Sequence, residues 1–405
     1  MTLSKPKLTD IILGFLTFLL AAGTAYAVTI FLYPSQTQTP SQTSSPTSST
    51  PAKVNLAGPK TEACPLNGAF YTKTEKNIWS QRRPLFVMIE NHVDARPQSG
   101  LNEADIVYEA IAEGGITRFG AVYYCGIAAH DTILGPVRSA RTYFINWASE
   151  YNYPLYVHVG GANCSPADPN HPTTTCKTDK RVQALEQLER YGWGGSQGND
   201  LNQFSIGFPT FWRDYERLGH TVATEHTMYT STDKLYQYAK AKRGWTNLSP
   251  TGKNWLTGFK PWFFKDDAKP DQRGKVAKIS FEFWRGYKDF DTVWQYNPQT
   301  NSYLRFQGGK PHKDRDTDKQ ISAKVVIIQF IKEEGPVDSL HHMFYHNLGQ
   351  GQALVFQDGQ VVKAHWSKSD RQSRTIFTTN QGQEIKFNRG KIFIEGVPAG
   401  NQVNY

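Results

Sequence analysis

The sequence predicts a chain with one transmembrane helix, then an α+β or α/β first lobe, then a mostly antiparallel β second lobe. Three observations predict this. Residues 11–33 run without a charge and are long enough to cross a bilayer as a helix. Strand-like and helix-like segments alternate between residues 77 and 244. Beyond residue 262, strand-like segments follow one another at turn signals, with almost no helical spacing.

The elements follow in order. Residues 1–10 carry Lys5 and Lys7, and no basic residue follows the apolar run until Lys53. That asymmetry places residues 1–10 in the cytoplasm and the bulk of the chain outside, as a single-pass protein of the cell membrane. A cleaved signal peptide ending at "AYA" (residues 25–27) is the competing reading, and it also exports the remainder. Residues 34–76, rich in Pro, Ser, Thr and Gln at their start, read as a disordered stalk.

In the first lobe, residues 84–90, 104–110, 118–124 and 154–160 have the short apolar runs of strands. Residues 139–151 read as a helix capped by Ser139. Residues 179–192 and 231–244 read as two more, each closed by a glycine. Residues 245–261 form the expected linker. In the second lobe, 277–284, 291–306, 323–331, 352–366 and 391–397 read as strands, with hairpin turns at Asn297-Pro298 and Asp358-Gly359.

Composition narrows the function classes. The 405 residues carry a net charge of +9, but acids are interleaved with the bases and no basic run of five occurs. No nucleic-acid partner is therefore expected. A mildly basic outer surface suits an anionic polymer or membrane. Four cysteines, all beyond the apolar run, permit disulfides. A Cys164–Cys176 bridge would close a short loop and contribute about 3 kcal/mol. The pairing of Cys64 and Cys125 stays open. No C-x-x-C spacing exists, and "HHMFYH" (residues 341–346) lacks an evident acidic partner, so neither a metal nor a cofactor is expected.

The densest polar cluster lies at the strand ends of the first lobe. It comprises Glu90, Asn91, His92, Arg96, Asp105, Glu109, Glu113, Arg118, Arg138, Ser139, Arg141 and His158. Strand ends are where α/β folds place ligands. In "GPVRSAR" (residues 135–141), Arg138 would precede a helix N-cap and Arg141 would sit in its first turn. Two guanidinium forks beside helix-start amides can grip a phosphate or carboxylate. Glu90, Glu109 and Glu113 can instead pair with these arginines internally. They could also supply an acid and base pair, as glycan cleavage needs. In "HWSKSDRQSRT", Trp366, Lys368, Arg371 and Arg374 end a hairpin strand. An aromatic beside bases can hold a sugar or anionic polymer, although a charged edge strand explains the pattern more simply.

The strings "MIENHVDARPQSGLNEADIVYEAIAEGGITRF", "GPVRSAR", "HVGG" and "EHTMYTST" resemble the first domain of the YerB-like lipoproteins. "ALVFQDGQVVKAHWSKSDRQSRTIF" and "GQEIKFNRGK" resemble their second domain. The resemblance spans about residues 78–400. It implies an exported, membrane-tethered, two-domain envelope protein and supplies no catalytic residues. The chain lacks the lipid-box cysteine of that pattern. A looser likeness joins Asp105, Arg138 and Arg141 to envelope phosphotransferases that attach polymers to peptidoglycan, without their "SIPRDT" string. The expected function is binding of an anionic cell-wall polymer, or of a wall-synthesis protein, without turnover. The alternatives are an enzyme acting on peptidoglycan glycan or a pyrophosphate-linked polymer, and a scaffold for a membrane enzyme.

Overall fold

A computed structural model describes residues 56–164 and 176–405. The expected membrane helix at residues 11–33 lies outside them. Among the described residues no helix is long and apolar enough to cross a membrane. These residues are mostly strands with some helices, and they belong to one compact unit that begins at residue 55.

Its centre is a ten-stranded mixed sheet. In chain order the strands are β1 (Leu85–Glu90), β2 (Ile106–Glu113), β3 (Ile116–Tyr123), β4 (Leu155–His158) and β5 (Asp200–Asn202). They continue with β6 (Val325–Ile331), β7 (Gly349–Gln357), β8 (Gln360–Lys368), β9 (Ile376–Thr379) and β10 (Ile392–Pro398). Across the sheet the order is β9-β8-β7-β6-β10-β2-β3-β1-β4-β5. β10 is parallel to both of its neighbours, β6 and β2. β1, β4 and β5 are likewise parallel to one another. Strands covered on both faces need continuous apolar runs. The sequence LFVMIE of β1 is buried at every position.

The helices are short. α1 (Lys73–Trp79) starts with a capping box between Thr72 and Glu75. α2 (Thr142–Ala148) lies against the sheet, and its Phe144 comes so close to β3 that a Cβ on Gly120 would sit 2.8 Å from that ring. α3 (Ala184–Arg190) and α4 (Gln203–Ile206) follow. α5 (Thr232–Arg243) ends at Gly244 with φ +71, the left-handed cap that glycine favours. A second, smaller sheet is built on the hairpin of Thr292–Asn297 and Ser302–Gln307.

Four expectations are corrected. The stalk does not extend to residue 76: residues 62–63 pair with 70–71, and a Cys64–Cys125 disulfide binds that segment to the end of β3. The linker at 245–261 is not a break, because Trp245 and Trp255 are buried in the common core. The lobes are not separate sheets, since β10 from the second lobe completes the sheet of the first. Ser139 does not cap α2; Arg141 occupies the N-cap and makes no side-chain capping bond.

Candidate functional site

The parallel strands β1, β4 and β5 end on the same side of the sheet, at Glu90, His158 and Asn202. Residues 137–140 cross those ends. Val137 bridges to Ile89, Ala140 bridges to Gly161, and the amide of Val159 donates to the carbonyl of Arg138. Ligands of open α/β sheets bind outside the carboxyl ends of their strands.

Three side chains meet there. Glu90 is buried, and its Oε1 accepts from Nε of Arg138 at 3.1 Å. Its Oε2 lies 2.9 Å from Nδ1 of His226. His226 stacks on His92 with ring centroids 4.8 Å apart and planes 8° from parallel. The hydrogen bond to Glu90 holds His226 above the ordinary histidine pKa, against the opposing effect of burial. The Arg138 side chain is 25% exposed, and among the described residues its outer guanidinium nitrogens have no protein partner.

The other candidates are spent on structure. Glu113 accepts from Nη2 of Arg118 at 2.7 Å and from Nη2 of Arg141 at 2.5 Å. Those two guanidiniums hold its carboxyl far below the ordinary range once burial is offset. The remaining Nη1 groups of Arg118 and Arg141 donate to the carbonyls of Ser139 and Ala140. These arginines are internal clamps, and a seven-residue helix that begins at Arg141 offers no anion-binding end. Glu109 is fully buried and accepts from Asn91, Thr117 and Arg305. It cannot reach a substrate as acid or base. Arg96 donates to the carbonyls of Asn91 and Asp289, joining the two lobes.

Asp105 is enclosed, accepting from the amides of Tyr124 and Cys125 and from Asn67. Desolvation pushes its pKa up to about 6 against those bonds. The likeness to wall phosphotransferases therefore fails at its first residue. His158 is buried between the carbonyl of Gly160 and the carboxylate of Asp200.

Two groups could be read as metal sites. Cys64 and Cys125 beside Asp105 are joined as a disulfide and offer no thiolate. His92, Asp94 and His226 bring ligand atoms within 4.8 Å of one another. The two rings are parallel, however, so their nitrogen lone pairs do not converge on one point, and Arg138 adds a cation beside them. In the "HHMFYH" stretch, His342 and His346 pair with Asp338 and Glu334, the acidic partners the sequence did not reveal.

His226, Asp94 and Asp200 were not singled out in the sequence. His226 lies in "EHTMYTST", a string that carries the family resemblance, but its 136-residue distance from Glu90 hides the pairing. Cys164 and Cys176 are bridged as expected.

Residues 71–246 match the N-terminal domain, and residues 279–394 the C-terminal domain, of the family described as "Protein of unknown function (DUF3048)". The chain belongs to the DUF3048 family. It is 29% identical over 345 residues to "Putative lipoprotein YerB" of Bacillus subtilis (strain 168), covering 82% of this chain and 86% of that one. The crystal structure of the Bacillus subtilis YerB protein shares the fold, with a TM-score of 0.62 at 24% identity. That match covers 85% of this chain and all of the other. Glu90, His92, Arg138 and His226 all fall in the DUF3048 N-terminal domain. The DUF3048 C-terminal domain supplies Arg305, the buried partner of Glu109.

Proposed function

We propose that this DUF3048 protein is an extracytoplasmic envelope protein, tethered through residues 11–33, that binds an anionic cell-wall polymer without turnover. The phosphates or carboxylates of the polymer would meet Arg138 and His226 at the carboxyl ends of β1, β4 and β5. One observation carries the reading. Of the four arginines in the cluster, Arg138 alone keeps its outer nitrogens at the surface, while Arg96, Arg118 and Arg141 direct theirs inward. Glu90 grips only Nε, which fixes the fork and leaves its outer face for a bidentate anion. The two disulfides support a site outside the reducing cytoplasm. The lipoprotein name of the YerB relative supports a membrane tether.

The test is sedimentation of residues 56–405 with purified cell wall, before and after the anionic polymer is stripped. Wild type should bind the polymer-bearing wall, with Arg138→Gln weakening binding about tenfold, the worth of one charge-assisted contact. Lys363→Gln removes an exposed charge elsewhere and should bind as wild type does. Equal binding by wild type and Arg138→Gln would sink the reading. Binding that survives stripping of the polymer would point to a wall-synthesis protein or to the glycan itself.

A further inference from the structure

A separate cleft of about 840 Å³ opens between residues 253–260, the β7–β8 edge and the loop after β8. Its size falls within the range of small-ligand sites. The sequence singled out Lys368, Arg371 and Arg374 near here, and the binding site described above uses none of them.

The floor is an ion cluster. Glu150 is fully buried, and its carboxylate meets Nη1 of Arg374 at 3.0 Å, Nζ of Lys368 at 3.2 Å and Oγ1 of Thr375 at 2.5 Å. The Cζ of Arg374 sits 3.5 Å from the ring centroid of Trp262 and 5.6 Å from that of Phe259. Its Nε and Nη2 are buried without a hydrogen-bond partner among the described residues. Two cations thus face one carboxylate. Burial pulls Lys368 below its ordinary value, and the charges of Glu150 and Asp370 oppose that shift.

The rim adds to it. Lys253 and Lys260 are exposed, and neither forms an ion pair among the described residues. Of the acids that line the cleft, Asp370 is satisfied within its own loop by the amides of Gln372 and Ser373 and the hydroxyl of Ser373. Glu384 also lines the cleft. Ser367 and Gln350 also line the cleft, a hydroxyl and an amide suited to sugar hydroxyls, as does the half-buried ring of Phe259, suited to the apolar face of a pyranose.

We propose that this cleft is a binding site for a saccharide carrying one carboxylate, with Lys253 and Lys260 on the carboxylate and Phe259 against the ring. It is independent of the Arg138 site.

The experiment is calorimetric titration of residues 56–405 with three probes. These are N-acetylglucosaminyl-N-acetylmuramic acid (ring and carboxylate), chitobiose (ring alone) and inorganic phosphate (anion alone). The acidic disaccharide should bind at least tenfold tighter than either other probe. Lys253→Gln/Lys260→Gln should weaken it about tenfold with an unchanged melting temperature, and Arg138→Gln should leave it unaltered. Hydrogen exchange should slow at residues 367–374 on binding. Equal affinity for chitobiose, or an unaffected double variant, would overturn the proposal. So would loss of binding in Arg138→Gln, or no binding of the acidic disaccharide.

Discussion

Glu113 and Arg138 show how much one charge partner matters. Glu113 is the shared carboxylate partner of two buried guanidiniums, so Glu113→Gln leaves both without one and should cost about 3 kcal/mol in urea unfolding. Arg138→Gln takes one partner from the buried Glu90, which keeps its bond to His226, and should cost about 1–2 kcal/mol, so its urea midpoint is checked before it serves as a binding variant. His226 gives the site a pH dependence. Its folded pKa is raised by Glu90, so the protonated ring favours the fold, and that contribution is complete below the ordinary value near 6.5. It is lost as pH rises through the folded value. Binding of an anion should weaken over the same window. Imidazole NMR should show His226 titrating above 6.5 in wild type and falling back toward it in Glu90→Gln. The sequence displayed Glu90 and Arg138 as members of one dense cluster. It could not show which arginine faces outward, because that depends on Glu113 at the far end of β2 reaching both Arg118 and Arg141. Nor could it supply His226, which arrives from a remote loop.

The long elements were legible because their patterns are strong. β1, β2, β6 and β10 carry apolar runs that only a strand buried on both faces explains. α5 announced itself by its start at Ser231 and its stop at Gly244. Among the short helices, α2 and α3 fall within segments the sequence predicts, and α1 does not. α1 has seven residues, and its capping box sits inside a stretch that composition assigned to the stalk. The Asp358-Gly359 turn was read correctly, and the structure adds its reason. Both residues have positive φ, 53° and 65°, and Asp358 Oδ1 accepts from Asn301 and Asn388. A Cβ on Gly359 would lie 2.7 Å from the Gly274 carbonyl oxygen. Gly359→Ala should therefore lose about 2 kcal/mol, read from the urea midpoint, by steric conflict and left-handed strain together. Reducing Cys64–Cys125, 61 residues apart, should lower stability by about 4 kcal/mol, because the open chain regains that loop entropy.

The two DUF3048 domains share one sheet. Ile392 to Glu395 of the second pair with Ile106 to Glu109 of the first. Arg305 of the second, fully buried, bonds Glu109 of the first beside Glu395. Burial and the neighbouring Glu109 raise Glu395 well above the carboxylate range, so a proton helps this cluster close. Calorimetry of residues 56–405 should show a single unfolding transition, and residues 56–250 alone should fail to fold. Two separable transitions would contradict the shared sheet. The sequence suggested two lobes because its periodicity changes near residue 262. Periodicity reports local structure and is blind to which strands become neighbours.

The place of β10 has a further consequence. A chain delivered amino end first presents β1 to β5 long before residue 392 exists. Throughout that interval β2 has a bare edge at Ile106, Val107 and Tyr108, where β10 will later pair. Completion is therefore a terminal event, set by the arrival of the last strand. Until then the growing polypeptide keeps an unpaired strand edge, open to proteases and to mispairing with its neighbours.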